Sequence, residues 1–313
     1  MTGRQHSTVA GIIGTPSPLA FSASEKRCGQ GSICGMGRMG RDEVVNGTLG
    51  VASWWLENRQ AEKILSERHD TFNPNPFLLP LVAALHGAHS ARELSDIVTI
   101  GHLMGGNNTG FGKLIDERLL PLVFGTQKLT KGFRAATPPY RHSAFNDVDH
   151  LVKHDGKTAL LSLKASRWTI NLGAARDLNR SFAEINDAYL RTGLGSYSEI
   201  AVGVLYGSEL TDKYEVVRGE TVRRREMHDL KDLMSCVNVY AGRAFWAWLN
   251  HGEDMTQDWV LEGIIIAARR FTKAWPDQRH RLEDMASRNT VLEALGKDES
   301  KLNFHQMMRE VNG

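Results

Sequence analysis

Between Phe145 and Ser166 the chain reads FNDVDHLVKHDGKTALLSLKAS, and its apolar residues recur at every second position instead of every third or fourth. That period belongs to strands. Asp155-Gly156 divides the segment, and both residue types tolerate the positive φ of a two-residue hairpin turn whose twist matches its flanking strands. If those two residues form the loop, Asp149 falls opposite Ser162 and Asp147 opposite Lys164. Because side chains alternate across a strand, all four are expected on one face of the ribbon.

The elements around this ribbon read differently. From Val44 to about Gly125 the pattern is helical, starting with LGVASWWLENRQAEKILSER, where Leu49, Trp54, Ile64 and Leu65 share a face. NPNPFLLP, from Asn73 to Pro80, breaks and restarts the helix. A further helix is expected to start near Asn108 or Thr109, which can cap it, and to be limited by Pro121. That helix carries Glu117.

After the ribbon, Leu172, Ala175, Leu178, Phe182, Ile185 and Tyr189 mark a helix that packs on the sheet. Glu199 to Gly207 reads as a central strand and Lys213 to Gly219 as a shorter one. YAGRAFWAWLN and DWVLEGIIIAARRFTKAW return to helix. The fold class expected is α/β, a mixed sheet flanked by helices with helical additions at both ends. Residues 1–43 read as a flexible N-terminal arm, 44–276 as the main domain and 277–313 as a charged helical tail.

Composition narrows the chemistry. The 38 basic and 36 acidic residues nearly cancel, so the net charge of +2 neither suggests nor excludes nucleic acid. Cys28, Cys34 and Cys236 form no CxxC pair, which argues for free thiols in a reducing compartment and against zinc. The glycines between Gly29 and Glu43 lack the GxxxxGK[ST] pattern of a phosphate loop. No apolar stretch approaches the length of a bilayer span, so a cytoplasmic protein is expected.

What the ribbon can do follows from its residue types. Hydrolysing a phosphodiester takes a metal to polarise the phosphoryl oxygen and activate water, with a cation near the attacking or leaving oxygen. Mg²⁺ prefers oxygen ligands. Asp149, Asp147 and Lys164 supply carboxylates on one strand and an ammonium on the next. On spacing alone, cross-strand ion pairs on a solvated face are the competing reading.

The string DVDHLV…TALLSLKAS resembles the core of the PD-(D/E)XK nuclease superfamily. Its context resembles one family of type II restriction endonucleases, those cutting the interrupted palindrome RGGNCCY. WWLENRQ, NPFLLP, HLMGGNNTGFGKLIDERLLPLVFG, FNDVDH, LLSLKASRWTINL, VYAGRAFWAWLNHGE and DWVLEGI carry the resemblance, over roughly residues 53–263. It implies a restriction-endonuclease-like core and Mg²⁺-dependent cleavage of double-stranded DNA at a GGNCC-like site. Asp149 matches the metal-binding aspartate and Lys164 the lysine that contacts the scissile phosphate or its attacking water. Ser162 departs from the pattern, standing where Asp or Glu is usual. Asp177 and Glu184 on the following helix, Glu117 on the earlier one, and Asp147 are the carboxylates that could replace the missing acid.

DNA contacts are expected from Arg167 and Trp168 after the catalytic strand and from Arg176, Asn179 and Arg180 on its helix. Asn108 and Lys113 are expected at a helix N-terminus, where backbone N–H groups favour phosphate. Arg223 to Arg225 is a basic run that could track the backbone. His142 and His150 lack metal-ligand spacing and receive no catalytic role. A two-fold symmetric DNA site implies a homodimer, and restriction implies a cognate DNA methyltransferase in the same system. The alternatives are a repair or recombination nuclease of the same superfamily and a DNA-binding module without catalysis.

Overall fold

In the computed structural model of the chain, Asp155 and Gly156 take φ values of 48° and 77°, the left-handed pair that a two-residue hairpin turn requires. The strands on either side, β2 (His150–His154) and β3 (Lys157–Lys164), run antiparallel and pair from His150 with Leu161 to His154 with Lys157. This is the register expected from the turn. The structure describes residues 37–66, 77–138, 140–165, 177, 178, 180–185, 187, 197–207, 214–217, 220–223, 237–274, 292 and 300–303.

Ahead of the hairpin come α1 (Arg41–Ser66), α2 (Leu79–His86), α3 (Ala91–Leu114), a π-helical turn (Ile115–Leu119) and α4 (Leu120–Phe124). Then follow the short β1 (Gln127–Lys128), α5 (Lys131–Ala136) and a 3-10 turn (Ser143–Asp147). After the hairpin lie helix α6, whose described residues fall within 177–187, then β4 (Tyr197–Val204), β5 (Tyr214–Val217) and β6 (Glu220–Arg223). The strand β7 (Val237–Ala241) and helices α7 (Arg243–Leu249) and α8 (Thr256–Ala274) complete the described elements.

The main sheet has the order β1-β2-β3-β4-β7. Its first three strands are antiparallel, while β4 runs parallel to β3 and β7 parallel to β4. The strands β5 and β6 pair separately. The chain is thus a mixed α/β protein with a five-stranded open sheet flanked by helices. No helix among the described residues is long and apolar enough to cross a membrane.

Alternation along the strands feeds two cores. Val152, Ala159, Leu161 and Ala201 pack with Val44, Leu120, Phe245 and Val260 from α1, α4, α7 and α8. Leu151, Leu160, Ile200, Val202 and Val204 pack with Leu178, Phe182 and Ile185 of α6. That is the helix face its 3.6-residue period indicates. Complete burial of each such aliphatic side chain stabilises the fold by about 1.5–3 kcal/mol. A smaller cluster joins Leu79, Ala83 and Leu94 of α2 and α3 to Leu292 of the C-terminal segment.

Four local expectations are corrected. Helix α3 starts at Ser90, not at Asn108 or Thr109, because the Ser90 hydroxyl accepts from the Glu93 N–H at 3.2 Å and the Glu93 carboxylate accepts from the His89 N–H at 2.7 Å. This reciprocal cap outcompetes a mid-helix amide. Pro121 does not stop the helix. It sits in the first turn of α4 directly after the π-helical turn, a widened turn that relieves the clash a proline ring makes with the carbonyl four residues back. Tyr240 and Ala241, read as the start of a helix, instead close β7 (Val237–Ala241), which pairs with β4. Asp147 closes the 3-10 turn, so it is not a strand residue opposite Lys164.

Gly203, on β4 between β3 and β7, has no room for a side chain: a Cβ there would lie 2.4 Å from Phe245 Cε2 and 2.9 Å from Leu161 Cδ1. We predict that Gly203→Ala lowers stability by about 1–3 kcal/mol, read from the urea midpoint. An unchanged midpoint would mean that Phe245 does not pack against β4 as described.

Candidate functional site

The hairpin brings the first residues of β2 beside the last residues of β3, and α3 closes over that end of the sheet. The approach is close because Gly112 carries no side chain: a Cβ there would stand 3.1 Å from the Ala165 Cβ. One helical turn further on, the π-helical turn redirects the chain and delivers Asp116. Thr109, Gly112, Lys113, Asp116, Asp149, Leu163 and Ala165 line the resulting cleft, which has a volume of about 440 Å³. Two carboxylates and an ammonium therefore share one opening, at the C-terminal end of the middle strand of the sheet.

Asp149 is anchored from both sides. Its N–H donates to the Leu161 carbonyl at 2.8 Å, and its carbonyl accepts from the Leu129 N–H at 2.8 Å. Its carboxylate Oδ2 accepts from the Leu163 N–H at 2.6 Å. Burial pushes its pKa above the ordinary carboxylate range, against the Leu163 hydrogen bond, and the nearby charge of Asp116 pushes the same way. The charges of Lys164 and His150 partly offset that rise.

Asp116 is driven in the opposite direction. Burial penalises its charge, but hydrogen bonds from His150 and Lys128 outweigh that and hold it below the ordinary range. His150 Nε2 lies 2.8 Å from Asp116 Oδ1, and Lys128 Nζ donates to Oδ2. His150 is fully buried, and its Nδ1 lies 2.9 Å from the Thr126 hydroxyl. One carboxyl of the cleft is thus held ionised, while its neighbour resists ionisation.

The expected site residues divide between those the cleft gathers and those it does not. Asp149 and Lys113 line it, and Lys164 lies near enough for its charge to act on Asp149. Ser162 is 1% exposed and its hydroxyl has no hydrogen-bond partner. By alternation it shares the α6 side of the sheet with Leu160, whereas Asp149 joins Leu163 and Ala165 at the cleft. The expectation that the four ribbon residues share one face is thereby corrected. The β2–β3 ladder begins only at His150 and Asp147 lies in the 3-10 turn, so strand parity does not extend back to Asp149 and Asp147. Asp147 instead accepts a hydrogen bond from the Ser181 hydroxyl of α6.

Glu117 is 56% exposed and stands 3.9 Å from Lys128; its neighbour Asp116 is the acid that reaches the cleft. Asp177 and Arg180 are 68% and 70% exposed and pair with each other at 3.3 Å, and Glu184 is exposed. Glu117, Asp177, Arg180 and Glu184 all lie outside the cleft lining. Asn108 lies inside α3, so its expected place at a helix N-terminus is also corrected. Arg167, Trp168, Arg176 and Asn179 fall outside the described residues, as do the three cysteines. Asp116, Lys128, Thr126 and His150 were missed by sequence reasoning. The one signal for them was a histidine in an otherwise apolar strand position.

Among the described residues no three His, Cys, Asp or Glu side chains gather closely enough to hold a metal ion by themselves. Mg²⁺ is ordinarily held by one or two carboxylates and keeps several of its waters, so the Asp116–Asp149 pair suits it where a metal needing an all-protein cage would not fit. No known family model matches the chain, and no curated protein is significantly similar to it. Fold and cleft together define a mixed α/β protein with a two-carboxylate, lysine-flanked opening at the end of its central strand.

The Asp149 shift has a thermodynamic consequence. A carboxyl with a folded-state pKa above its unfolded value binds protons more tightly in the native state, so its contribution to stability falls as pH rises through that interval. We predict that Asp149→Asn melts at a higher temperature than the parent at pH 7 without divalent metal, and that the gap closes below the ordinary carboxylate range. Calorimetry checks this. A variant that melts lower at pH 7 would contradict the buried, repelled carboxylate.

Proposed function

We propose that the chain is a Mg²⁺-dependent nuclease of the PD-(D/E)XK type, a type II restriction endonuclease that hydrolyses phosphodiesters in double-stranded DNA at a GGNCC-like palindrome. The observation that carries this reading is the convergence of Asp149, Asp116 and Lys113 on one cleft, with Lys164 near enough for its charge to act on Asp149. On this reading it acts in the cytoplasm as a homodimer, one cleft per strand, alongside a cognate DNA methyltransferase.

Asp149 and Asp116 are the residues that would hold Mg²⁺. Bound there, Mg²⁺ would polarise the phosphoryl oxygen and lower the pKa of water. The residues of the chain do the remaining work. Lys128 and His150 keep Asp116 ionised, so the cleft offers a hard anionic donor before any cation arrives. The Leu163 N–H fixes the orientation of Asp149. The positive charge of Lys164, near enough to act on Asp149, would neutralise charge that builds up on the phosphoryl oxygens or on the attacking water. Lys113, on the opposite wall, attracts a backbone phosphate into the opening.

Ser162 gives specific support to the competing reading of a DNA-binding module without catalysis, since the position usually acidic is a buried hydroxyl. On our proposal Asp116 replaces the acid, and the two readings separate in a plasmid digest. With Mg²⁺, the parent yields discrete fragments ending at one short palindrome. Asp149→Asn, Asp116→Asn and Lys164→Ala each lose activity by a factor on the order of 100 to 1,000. Glu117→Gln, Asp177→Asn and Glu184→Gln keep most of it. Smeared or structure-dependent products would instead favour a repair or recombination nuclease. A parent that binds DNA but is as inert as Lys164→Ala sinks the enzyme proposal.

A further inference from the structure

We propose that His150, itself oriented by Thr126, is the positioning residue that presents Asp116 for cation binding in the cleft. The inference rests on the metal-site reading above and goes beyond it. It assigns a role to a fully buried imidazole that does not itself line the cleft.

The geometry runs in one chain of contacts. Gly125, at φ 63°, ends α4 in a left-handed cap, and the Thr126 N–H donates to the Leu120 carbonyl at 3.3 Å. The Thr126 backbone is thereby fixed, and Thr126 is only 5% exposed. Its hydroxyl meets His150 Nδ1 at 2.9 Å, and His150 Nε2 meets Asp116 Oδ1 at 2.8 Å. An ionised carboxylate has no hydrogen to give, so Nε2 carries the proton and donates it to Asp116. The Thr126 hydroxyl, against Nδ1, fixes the orientation of the ring that presents Nε2–H to Asp116.

Asp116 also receives Lys128 on Oδ2, and Lys128 pairs with His150 across the β1–β2 ladder. One donor sits on each carboxylate oxygen. A carboxylate offers about four lone-pair directions, so two are spent on positioning and the rest remain for the cleft that Asp116 lines. A purely structural histidine would bridge two buried groups. This one bridges a buried hydroxyl to an acid that stays 24% exposed. Partners that orient metal ligands from behind commonly govern metal affinity by factors of about 10 to 100.

Mn²⁺ is the probe, titrated into the full chain without DNA and followed by the paramagnetic resonance of the free ion. The parent binds Mn²⁺, and Asp149→Asn abolishes that binding. Thr126→Val keeps the shape of threonine but lacks its hydroxyl, and it weakens Mn²⁺ binding about tenfold; Thr126→Ser restores it. His150→Leu weakens binding further, and His150→Gln recovers part of the loss by donating to Asp116. In DNA cleavage, Thr126→Val raises the Mg²⁺ concentration needed for half-maximal rate and leaves KM for DNA unchanged.

Far-UV circular dichroism shows which variants fold, and if His150→Leu does not, the Thr126 series decides. Parent-like Mn²⁺ affinity in folded Thr126→Val, with Asp149→Asn inactive in binding, overturns the role of His150 and leaves the metal site standing. A parent that binds no Mn²⁺ overturns both.

Discussion

The site depends on the hairpin register, and the register depends on two left-handed residues. Asp155 and Gly156 set which residues of β2 and β3 face each other. That pairing places the Asp149 N–H under the Leu161 carbonyl and the Asp149 carboxylate on the Leu163 N–H. A slip of one residue would turn the apolar set of each strand to the wrong core. The buried area on both sheet faces therefore defends the geometry at the cleft.

The second carboxylate comes from an irregular helix. A regular α-helix through Pro121 would set its ring against the carbonyl four residues earlier. The π-helical turn at Ile115–Leu119 absorbs that conflict and changes the phase of the residues within it. Asp116 reaches the cleft, while Glu117 turns to solvent. Asp116 then meets two hydrogen-bond donors, His150 and Lys128, whereas Asp149 meets burial and a like charge. The two acids are tuned in opposite directions, a frequent arrangement where carboxylates share a task.

Much of this was legible in the sequence because it is local. The Asp-Gly turn, the alternation around it and the 3.6-residue stripe of Leu178, Phe182 and Ile185 each predict what the structure contains. Where sequence reasoning failed, the cause was non-local or a broken period. Glu117 was named as the acid of the earlier helix and Asp116 passed over because nothing local tells two adjacent acids apart, and the π-helical turn sets which of them reaches the cleft. The strand β7 was hidden because five residues followed by GRAFWAWL carry too little alternation, and only pairing with β4 makes them extended. Asn108 was taken for a cap although Ser90 and Glu93, further back, supply the stronger one. His150 was set aside for lacking metal-ligand spacing, yet its partners Thr126 and Asp116 come from the residue before β1 and from the π-helical turn, which no local pattern joins.

A crystal soaked in Mn²⁺ tests the central claim most directly. The account predicts an anomalous difference peak bridging the carboxylates of Asp116 and Asp149, with His150 still on the far oxygen of Asp116. A peak at Asp177 or Glu184 instead, or none between Asp116 and Asp149 at millimolar Mn²⁺, would contradict it.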